Sequence, residues 1–329
     1  NEQWGTDAFI NHAVDYKADV ALSMIDVHVL NPQYLSNMKV WIPYCPIDCD
    51  PMSMPVRDKL RFAYRIIAMS KYGQDVMRKA GFYSILIKEG TDTNIFKPMD
   101  KNEMRKKWNL PQNTFIFGMI AANKENPPRK AFQETLDAFS LFLKDHPDSL
   151  LYINSNQISP SSFPILEYAY HLGIEKKVYY DLSYKMRFIS TSEMIAEHIN
   201  CFDVYLNPSA TEGFGLTVVE ANSCGKPVIV NNATSMPEMV VEGITGEICK
   251  TGRKWFNNQQ GHWYMPDINS LHEKMEILFK KRDDPKLSDN CRNHIIENYN
   301  IDKQYKEQWL PFFNNLQTEL KFDKEEKKQ

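Results

Sequence analysis

The segment 207–230, NPSATEGFGLTVVEANSCGKPVIV, combines glycines and acidic side chains at a spacing suited to ligand binding. An apolar run leads into this segment, Gly213 and Gly215 form a turn, and the spacing predicts a helix from about residue 216. Glycine lets a ligand approach the backbone, and the first amides of a helix have no intrahelical acceptor. The turn therefore predicts an anion site. The donors would be the amides of Phe214, Gly215, Leu216 and Thr217.

Two glutamates flank this turn. Glu220 falls about one turn into the predicted helix, where it could accept hydrogen bonds from a diol such as a ribose. Glu212 precedes the turn, and a carboxylate beside a phosphate needs another partner, so we expect it to accept from neutral sugar hydroxyls. The alternative is a glycine-tightened loop with Glu212 as a helix cap and Glu220 in solvent. The apolar stretch LTVVEANSCG disfavours it, because that helix face would leave Glu220 partly buried.

The elements that position these residues follow from the hydrophobic period, which predicts an α/β protein. Before residue 100 we predict a helix end at 9–16, strands at 19–24, 39–42, 65–69 and 83–87, and a helix at 71–80. Beyond residue 100 we predict strands at 114–120, 150–153, 177–180, 204–206 and 227–230. The helices there are predicted at 131–144, 162–172, 192–199, 216–224, 268–280 and 288–299, with a last one carrying Trp309, Phe312 and Phe313. This alternation predicts a doubly wound parallel sheet with ligands at the carboxyl ends of its strands.

The turn-rich segment EGTDTNIFKP predicts a linker and a domain boundary near residue 100. We predict an N-terminal domain over 1–100, a C-terminal domain over 101–300, and a final helix with a frayed, charged tail over 301–329. Because the chain opens at Asn1 in what reads as the middle of a domain, we expect the start of the N-terminal domain to precede it.

The composition is that of a globular protein. Of the 329 residues 43% are hydrophobic and 25% charged, and the formal net charge of -3 gives no general attraction to nucleic acid. The six cysteines lack the density of a disulfide scaffold, which favours a reducing compartment. No apolar run approaches the roughly 20 residues that a membrane span needs. We expect a soluble, cytoplasmic protein that is free to contact a membrane surface peripherally.

The segments EGFGLTVVEA and GKPVIVNNATSMPEMVVEGITGEI, with AMSKYGQDVMRKAG, EGTDTNIFKP and WIPYCPID upstream, resemble glycosyltransferase family 4, the retaining GT-B enzymes. The resemblance covers nearly the whole chain, and its most specific motif is the pair of glutamates around EGFG. It implies two Rossmann-like domains that face a donor/acceptor cleft, with a C-terminal helix that crosses back to the N-terminal domain. It also implies that Glu212 contacts the donor sugar, that Glu220 binds the ribose, and that the turn amides bind the diphosphate.

A diphosphate needs cations on a facing loop, and the loop AANKENPPRKAF follows the strand predicted at 114–120. The family usually shows Gly-Arg, a short loop, then Lys-Gly. Here Arg129-Lys130 fits the second half, whereas Ala122-Asn123 replaces the first. We predict that Lys130 binds the diphosphate and that Lys124 or Arg129 supplies a second charge. The alternative, a basic helix start on the surface, is disfavoured because a cation is unfavourable at the positive end of a helix.

Base recognition and acceptor binding have weaker signals. By resemblance, Asp181 after the strand VYYDLS would face the base, with a surface turn as the alternative. Asp26 and His28 follow the strand predicted at 19–24 and are candidate acceptor-side residues, although a lone histidine in a loop is more often structural.

Asp48-Cys49-Asp50 has the Asp-x-Asp form that metal-dependent glycosyltransferases of another fold use for the diphosphate. It lies far in sequence from the glycine turn, and the family that the chain resembles needs no metal. We therefore predict a turn role for it. Cys45 and Cys49 lack a second Cys or His pair at ligand spacing, so we predict no metal site and no cofactor besides the nucleotide-sugar co-substrate.

The implied function is transfer, with retention, of a hexose from a UDP- or GDP-linked donor to a hydroxyl of a glycan, lipid or small-molecule acceptor. The departing diphosphate oxygen would take the acceptor proton while Arg129, Lys130 and the turn amides stabilise its charge. Two alternatives stay open. One is another GT-B enzyme such as a sugar-nucleotide epimerase. The other is a non-catalytic nucleotide-sugar-binding subunit, which Asn123 and the missing opening segment favour. The sequence does not identify the donor sugar, the base, the acceptor or the oligomeric state.

Overall fold

The structure is a computed structural model that describes residues 3–125, 127–155, 162–181, 190–257 and 260–326, with the side chains at 181 and 322–326 left out. It contains two parallel sheets and one hairpin. The helices are α1 Thr6–Asp15, α2 Pro32–Leu35, α3 Met54–Leu60, α4 Lys71–Lys79, α5 Lys101–Lys107, α6 Phe132–Phe142, α7 Ile165–His171, α8 Ser192–Asn200, α9 Leu216–Ser223, α10 Ile268–Lys280, α11 Leu287–Asn298, α12 Ile301–Gln304 and α13 Leu310–Glu326. Single helical turns occupy Val27–Val29, Glu175–Lys177, Met236–Met239 and Tyr305–Trp309.

The first sheet has four parallel strands in sequence order: β1 Ala21–Met24, β2 Trp41–Cys45, β3 Ile67–Ala68 and β4 Ile85–Leu86. Every residue of β2 is buried, as expected for a strand covered on both faces. The sequence predicted that this strand ends at residue 42. In the structure β2 continues through Pro43, and its pairing with β3 begins only after the proline, at Tyr44.

The second sheet has six parallel strands in the order β10-β9-β8-β5-β6-β7. They are β5 Ile116–Ile120, β6 Leu150–Asn154, β7 Val178–Asp181, β8 Val204–Asn207, β9 Val228–Asn231 and β10 Gly246–Cys249. The strand order reverses at β5, which pairs with β6 on one side and with β8 on the other. Ligands of open α/β sheets bind where the strand order reverses, so the loops that follow β5 and β8 meet at the expected site.

An antiparallel hairpin follows the second sheet, and the sequence did not predict it. Its strands are β11 Thr251–Phe256 and β12 His262–Pro266. β11 is mostly exposed, so it lacks the apolar signal of a core strand. The hairpin contacts the loop after β2, where the backbone amide of His262 donates to the Asp50 carbonyl at 3.3 Å.

The segment between the two sheets and the last helices hold the two halves of the chain together. Arg292 donates to the carbonyls of Thr93 and Phe96 at 2.7 and 2.6 Å. Trp309 packs edge-on against Tyr44 of β2 at 5.1 Å between ring centroids. Further along, the hydroxyl of Tyr64 donates to Glu319 of α13 at 2.8 Å. The final helix therefore lies against the first sheet. Residue 100, where we place the domain boundary, lies between the two sheets, and the three-part division stays our proposal.

Candidate active site

Two loops meet at the point where the strand order of the second sheet reverses. One follows β5 and carries Arg129 and Lys130, and the other follows β8 and carries the glycine turn. The amide of Ala210 donates to the Arg129 carbonyl at 2.8 Å, which fixes the second loop against the first. The basic pair and the turn are thus neighbours in space although about 80 residues separate them.

The glycine turn presents the start of α9 to the cleft. Gly215 precedes the helix with a φ of +114°, a conformation that L side chains rarely adopt. Within the described residues, the amides of Gly215, Leu216 and Thr217 donate to no protein acceptor, and these residues are exposed or half-buried. Phe214 is buried beneath them. The predicted anion donors are therefore accessible.

Gly213 sits where the two sheets' loops approach most closely. A Cβ atom on Gly213 would lie 2.5 Å from the Cβ of Pro46, in the loop after β2. Any side chain here would collide with that loop, so the absence of a Cβ lets the N-terminal half close over the turn. The sequence predicted that Gly213 lets a ligand approach the backbone, and the structure shows that it also allows the close contact with Pro46.

Glu212 is buried between both basic residues. Lys130 Nζ pairs with Glu212 Oε1, and Arg129 Nη1 lies 3.3 Å from Oε2. Arg129 also donates to the Thr211 carbonyl at 2.8 Å. The backbone of Glu212 is held as well, because its amide donates to Thr234 Oγ1 at 3.0 Å. Its partners within the protein are therefore cations, and its contact with sugar hydroxyls stays a prediction.

The ionisation of this group follows from its neighbours. Burial by itself raises the pKa of Glu212, but the charges of Lys130 and Arg129 outweigh it and hold the pKa at about 2. Burial lowers the pKa of Lys130, and the charge of Glu212 opposes that shift. Glu212 is therefore ionised at neutral pH, and a negative group lies next to both basic side chains.

Asn123 and Lys124 have different surroundings from the basic pair. Asn123 is 1% exposed, its amide nitrogen donates to the Phe163 carbonyl at 2.8 Å, and its side-chain oxygen accepts from the Phe163 amide at 2.8 Å. It therefore anchors the start of the segment before α7. Lys124 lines a cleft cavity together with Arg129, but Arg129 is the residue that shares Glu212 with Lys130. Of the two predicted candidates for the second charge, the geometry favours Arg129.

Glu220 is half-buried on α9, and Glu89 lies near it. Burial and, to a lesser extent, the charge of Glu89 together raise the pKa of Glu220 to about 7. Glu89 is 8% exposed, and burial raises its pKa to about 7 as well. Within the described residues, neither carboxylate forms an ion pair. The helix that starts at the anion turn thus carries a carboxylate that is ready to accept hydrogen bonds from a neutral diol.

A cavity of about 470 Å³ lies between the loop after β5 and the loops after β1 and β2. Asp26 and His28, the predicted acceptor-side residues, both line it and are exposed. Asp48 lines it too, facing the same space as Arg129. Although Asp48 is far from the glycine turn in sequence, tertiary packing brings the loop after β2 to that turn.

Of the remaining predicted site residues, the structure describes the side chain of Thr217 but not that of Asp181. The side chain of Thr217 accepts from Asn207 Nδ2 at 3.3 Å. Asp181 ends β7, paired in register with Asn154, but its side chain lies outside the described residues. The base-recognition prediction falls on this side chain and on the loop 182–189, which is also outside them.

Two residues near the site were missed altogether, Pro46 and Glu89. The linker segment that begins EGTD gave the only signal for Glu89, as an acidic residue at the entry of a turn. No sequence pattern indicated a role for Pro46, because its role is the contact with Gly213, which is distant in sequence.

The described part of the chain shows neither a metal site nor a membrane-spanning helix. No group of three or more His, Cys, Asp or Glu side chains there converges in a way that could hold a metal ion. All six cysteines are buried and free of disulfides. Among the described helices, none combines the length and the apolar character that crossing a membrane requires.

A linker joins two parallel Rossmann-like sheets, the final helix returns to the first sheet, and loops from both halves line the cleft. Together these features define the GT-B fold. Solved structures share it. Sucrose-phosphate synthase from Thermosynechococcus elongatus superposes with a TM-score of 0.74 at 17% identity, covering 95% of this chain and 77% of that one. Anabaena HepE in complex with UDP-glucose superposes with a TM-score of 0.70 at 17% identity, covering 95% and 84%.

The sequence comparison gives the family. The model of glycosyl transferases group 1 matches residues 100–293, more than half of the chain, so the chain belongs to that family. The family resemblance and the fold expected from the sequence are thereby confirmed.

Curated relatives match over parts of their length. N-acetyl-alpha-D-glucosaminyl L-malate synthase of Bacillus anthracis is 26% identical over 49% of this chain and 39% of its own length. The UDP-Gal:alpha-D-GlcNAc-diphosphoundecaprenol alpha-1,3-galactosyltransferase of Escherichia coli is 26% identical over 67% of this chain and 51% of its own. The chain thus spans about two fifths to one half of these relatives.

Proposed function

We propose that this protein is a retaining, metal-independent hexosyltransferase of glycosyltransferase family 4 that uses a UDP- or GDP-linked sugar. The observation that carries the proposal is the arrangement around Glu212. Open amides at the start of α9 follow Glu212 in the same turn, and the cations Arg129 and Lys130 contact its carboxylate. This combination suits a diphosphate next to a neutral, hydroxyl-rich group, which is what a nucleotide-diphosphate sugar offers.

The roles follow from charge. The diphosphate binds the amides of residues 214–217 and draws on Arg129 and Lys130, both of which pair with Glu212. Glu212 then accepts from the sugar hydroxyls, and Glu220 accepts from the ribose. Asp181 stays our candidate for the base side. The cations of the protein itself neutralise the leaving group, and therefore we propose no metal and no cofactor.

In the chemical step the bond between the anomeric carbon and the diphosphate oxygen breaks, and a bond to the acceptor oxygen forms on the same face of the sugar. The acceptor proton passes to the departing diphosphate oxygen. Arg129, Lys130 and the amides of the turn stabilise the charge that develops there, and they are already in place before the reaction begins.

The relatives support this class of donor without fixing the sugar. The Escherichia coli relative is named for UDP-galactose, and HepE is described in complex with UDP-glucose. The acceptors in the relatives' names differ from one another, so we leave the acceptor as a hydroxyl of a glycan, lipid or small molecule. A cytoplasmic location, with peripheral contact to a membrane that presents a lipid-linked acceptor, belongs to the same proposal.

The test is a thermal-stability screen followed by a transfer assay. UDP-glucose, UDP-galactose, UDP-N-acetylglucosamine and GDP-mannose are added separately, and binding at 100 times the dissociation constant stabilises the folded state by about 2.7 kcal/mol. The best donor is then incubated with acceptors in EDTA, and NMR reads the anomeric configuration of the product. An inverted product contradicts retention, and a C2 epimer of the donor indicates an epimerase. Donor binding without turnover across acceptors favours the non-catalytic subunit.

A further inference from the structure

Asp48 stands in the loop after β2 and is the carboxylate of the N-terminal half that faces the proposed donor site. It lines the 470 Å³ cavity together with Asp26 on its own side and Arg129 on the opposite side. Pro46, two residues earlier in the same loop, packs against Gly213 of the donor turn. The loop that carries Asp48 is therefore held at a fixed position next to the proposed sugar site.

Asp50, the other carboxylate of the Asp-Cys-Asp segment, is engaged elsewhere. Its side chain forms an ion pair with Lys79 at 2.7 Å, and its carbonyl accepts from His262. It is not among the residues that line the cavity. The two aspartates consequently do not converge on one ligand, and a shared metal ion would not explain the pair. Asp50 supplies a matched control for Asp48.

The charges around the cavity favour a neutral ligand on its N-terminal side. Burial raises the pKa of Asp48, Arg129 opposes that shift, and the charges of Asp26 and Glu212 add to it. Arg129 is already shared between Glu212 at 3.3 Å and Glu125 at 3.6 Å. In the described residues neither Asp26 nor Asp48 has an ion-pair partner. The cavity wall carries three carboxyl groups, Asp26, Asp48 and Glu125, against the two cations Lys124 and Arg129. A further phosphate or carboxylate would therefore meet an excess of acidic groups, whereas hydroxyls would find acceptors.

The remainder of the cavity wall is largely apolar. Side chains from two short segments contribute to it: Ile25, Val27, Met52, Pro55 and Val56. A sugar ring offers both surfaces that this cavity needs, because its C–H face packs on apolar side chains while its hydroxyls donate to carboxylates.

We propose that Asp48 binds a neutral sugar acceptor by accepting a hydrogen bond from the hydroxyl next to the reacting one. The inference rests on the proposed transferase function and gives its acceptor a chemical class. The reacting hydroxyl keeps its own proton for the departing diphosphate oxygen. Asp48 therefore fixes position and selects against anionic acceptors, without taking part in the proton transfer.

The experiment compares the wild-type protein, Asp48→Asn and Asp50→Asn with the donor that the stability screen identifies. The acceptor probes are methyl α- and β-glycosides of glucose, galactose and N-acetylglucosamine, set against glucose 6-phosphate and L-malate. We expect the wild type to use at least one neutral glycoside about tenfold better than either anionic probe. Asp48→Asn should lose about 10- to 100-fold in kcat/KM, mainly through acceptor KM, as expected for one lost hydrogen bond to a charged group. UDP affinity should stay within about twofold, which also reports that the variant is folded, and Asp50→Asn should behave as the wild type.

Several outcomes overturn the inference while leaving the transferase intact. One is an unchanged acceptor KM in Asp48→Asn, and another is a preference of the wild type for an anionic probe. The third is an equal loss of kcat/KM in Asp48→Asn and Asp50→Asn together with inhibition of transfer by EDTA. Failure of the proposed function has a separate signature. In that case the wild type neither binds a nucleotide sugar nor releases UDP or GDP from it, and the acceptor proposal falls with it.

Discussion

Lys130 and Glu212 form a buried ion pair that joins the loop after β5 to the loop after β8. Arg129 contacts the other oxygen of the same carboxylate at 3.3 Å. One acidic residue thus holds two basic side chains in place. Because the pair links the proposed sugar contact to the proposed phosphate contacts, substitution of either partner tests both.

Glu212→Gln should separate sugar orientation from nucleotide binding. The amide keeps the shape of the side chain but loses the charge that pairs with Lys130 and Arg129, so both cations become free for the diphosphate. We expect transfer to fall at least about 100-fold, whereas UDP binds as in the wild type or more tightly. Steady-state kinetics and calorimetry measure the two quantities. Glu242→Gln is the control, since Glu242 pairs with Lys274 away from the cleft. Wild-type transfer rates in Glu212→Gln would contradict the role.

Lys130→Met should weaken the fold and change how it responds to acid. Removing one partner of a buried pair costs about 3–5 kcal/mol, and the contact that Arg129 retains should reduce this loss. In the wild type the pKa of Glu212 lies at about 2, below its ordinary 4.5, so its contribution to stability is present above pH 4.5 and is lost as pH falls through 2. Without Lys130 this pKa rises, and the loss should begin at higher pH.

Urea unfolding at pH 7, 5 and 3 measures both effects of Lys130→Met. Lys107→Met is the matched control, because Lys107 also pairs with a glutamate but is 54% exposed. Exposed pairs contribute about 0–1 kcal/mol. Equal losses in the free energy of unfolding would show that the buried Lys130–Glu212 pair contributes no more to stability than the exposed Lys107–Glu197 pair.

Glu89→Gln should stabilise the protein at alkaline pH. The folded-state pKa of Glu89 is raised from 4.5 to about 7 by burial, so the stability that this group contributes is complete below pH 4.5 and is lost as pH rises through 7. The penalty above pH 7 amounts to as much as about 3 kcal/mol, and the neutral amide removes it. Unfolding by urea at pH 5 and pH 8 should therefore differ less in the variant. Glu273→Gln, at an exposed position, should leave the pH dependence unchanged.

A second readout concerns Glu220, whose pKa of about 7 is raised by burial and then by the charge of Glu89. Removing the charge of Glu89 should lower the pKa of Glu220. NMR titration of Glu220 then reports the change, and an identical titration in both proteins would contradict the coupling between these two carboxyls.

Gly213→Ala should disturb the contact between the two halves of the chain. The added Cβ would lie 2.5 Å from the Cβ of Pro46, and the loop after β2 must move to make room. We expect a stability loss of about 1–3 kcal/mol together with weaker transfer. The double variant with Pro46→Gly should recover part of both. If Pro46→Gly gives no recovery, the glycine acts through the ligand alone.

The sequence by itself determined the local framework of the site. Strand β8, the glycine turn and α9 were predicted within about two residues, and the helix Ile268–Lys280 was confirmed residue for residue. Glu212, Lys130 and Arg129 were selected together. Such features are encoded locally, because hydrophobic period, glycine conformation and helix-start chemistry depend on neighbours along the chain.

The tertiary structure decided which distant groups meet. Asp48 was assigned a turn role, partly because many residues separate it from the glycine turn, yet packing places its carboxyl group close enough to Arg129 and Glu212 for their charges to act on it. The hairpin β11–β12 and Glu89 were missed, and the ion pairs of Glu212 with Lys130 and Arg129 were not foreseen. Sequence separation does not measure distance, since the packing of two sheets places loops against one another, and only that packing determines the partner and the ionisation of each buried charge.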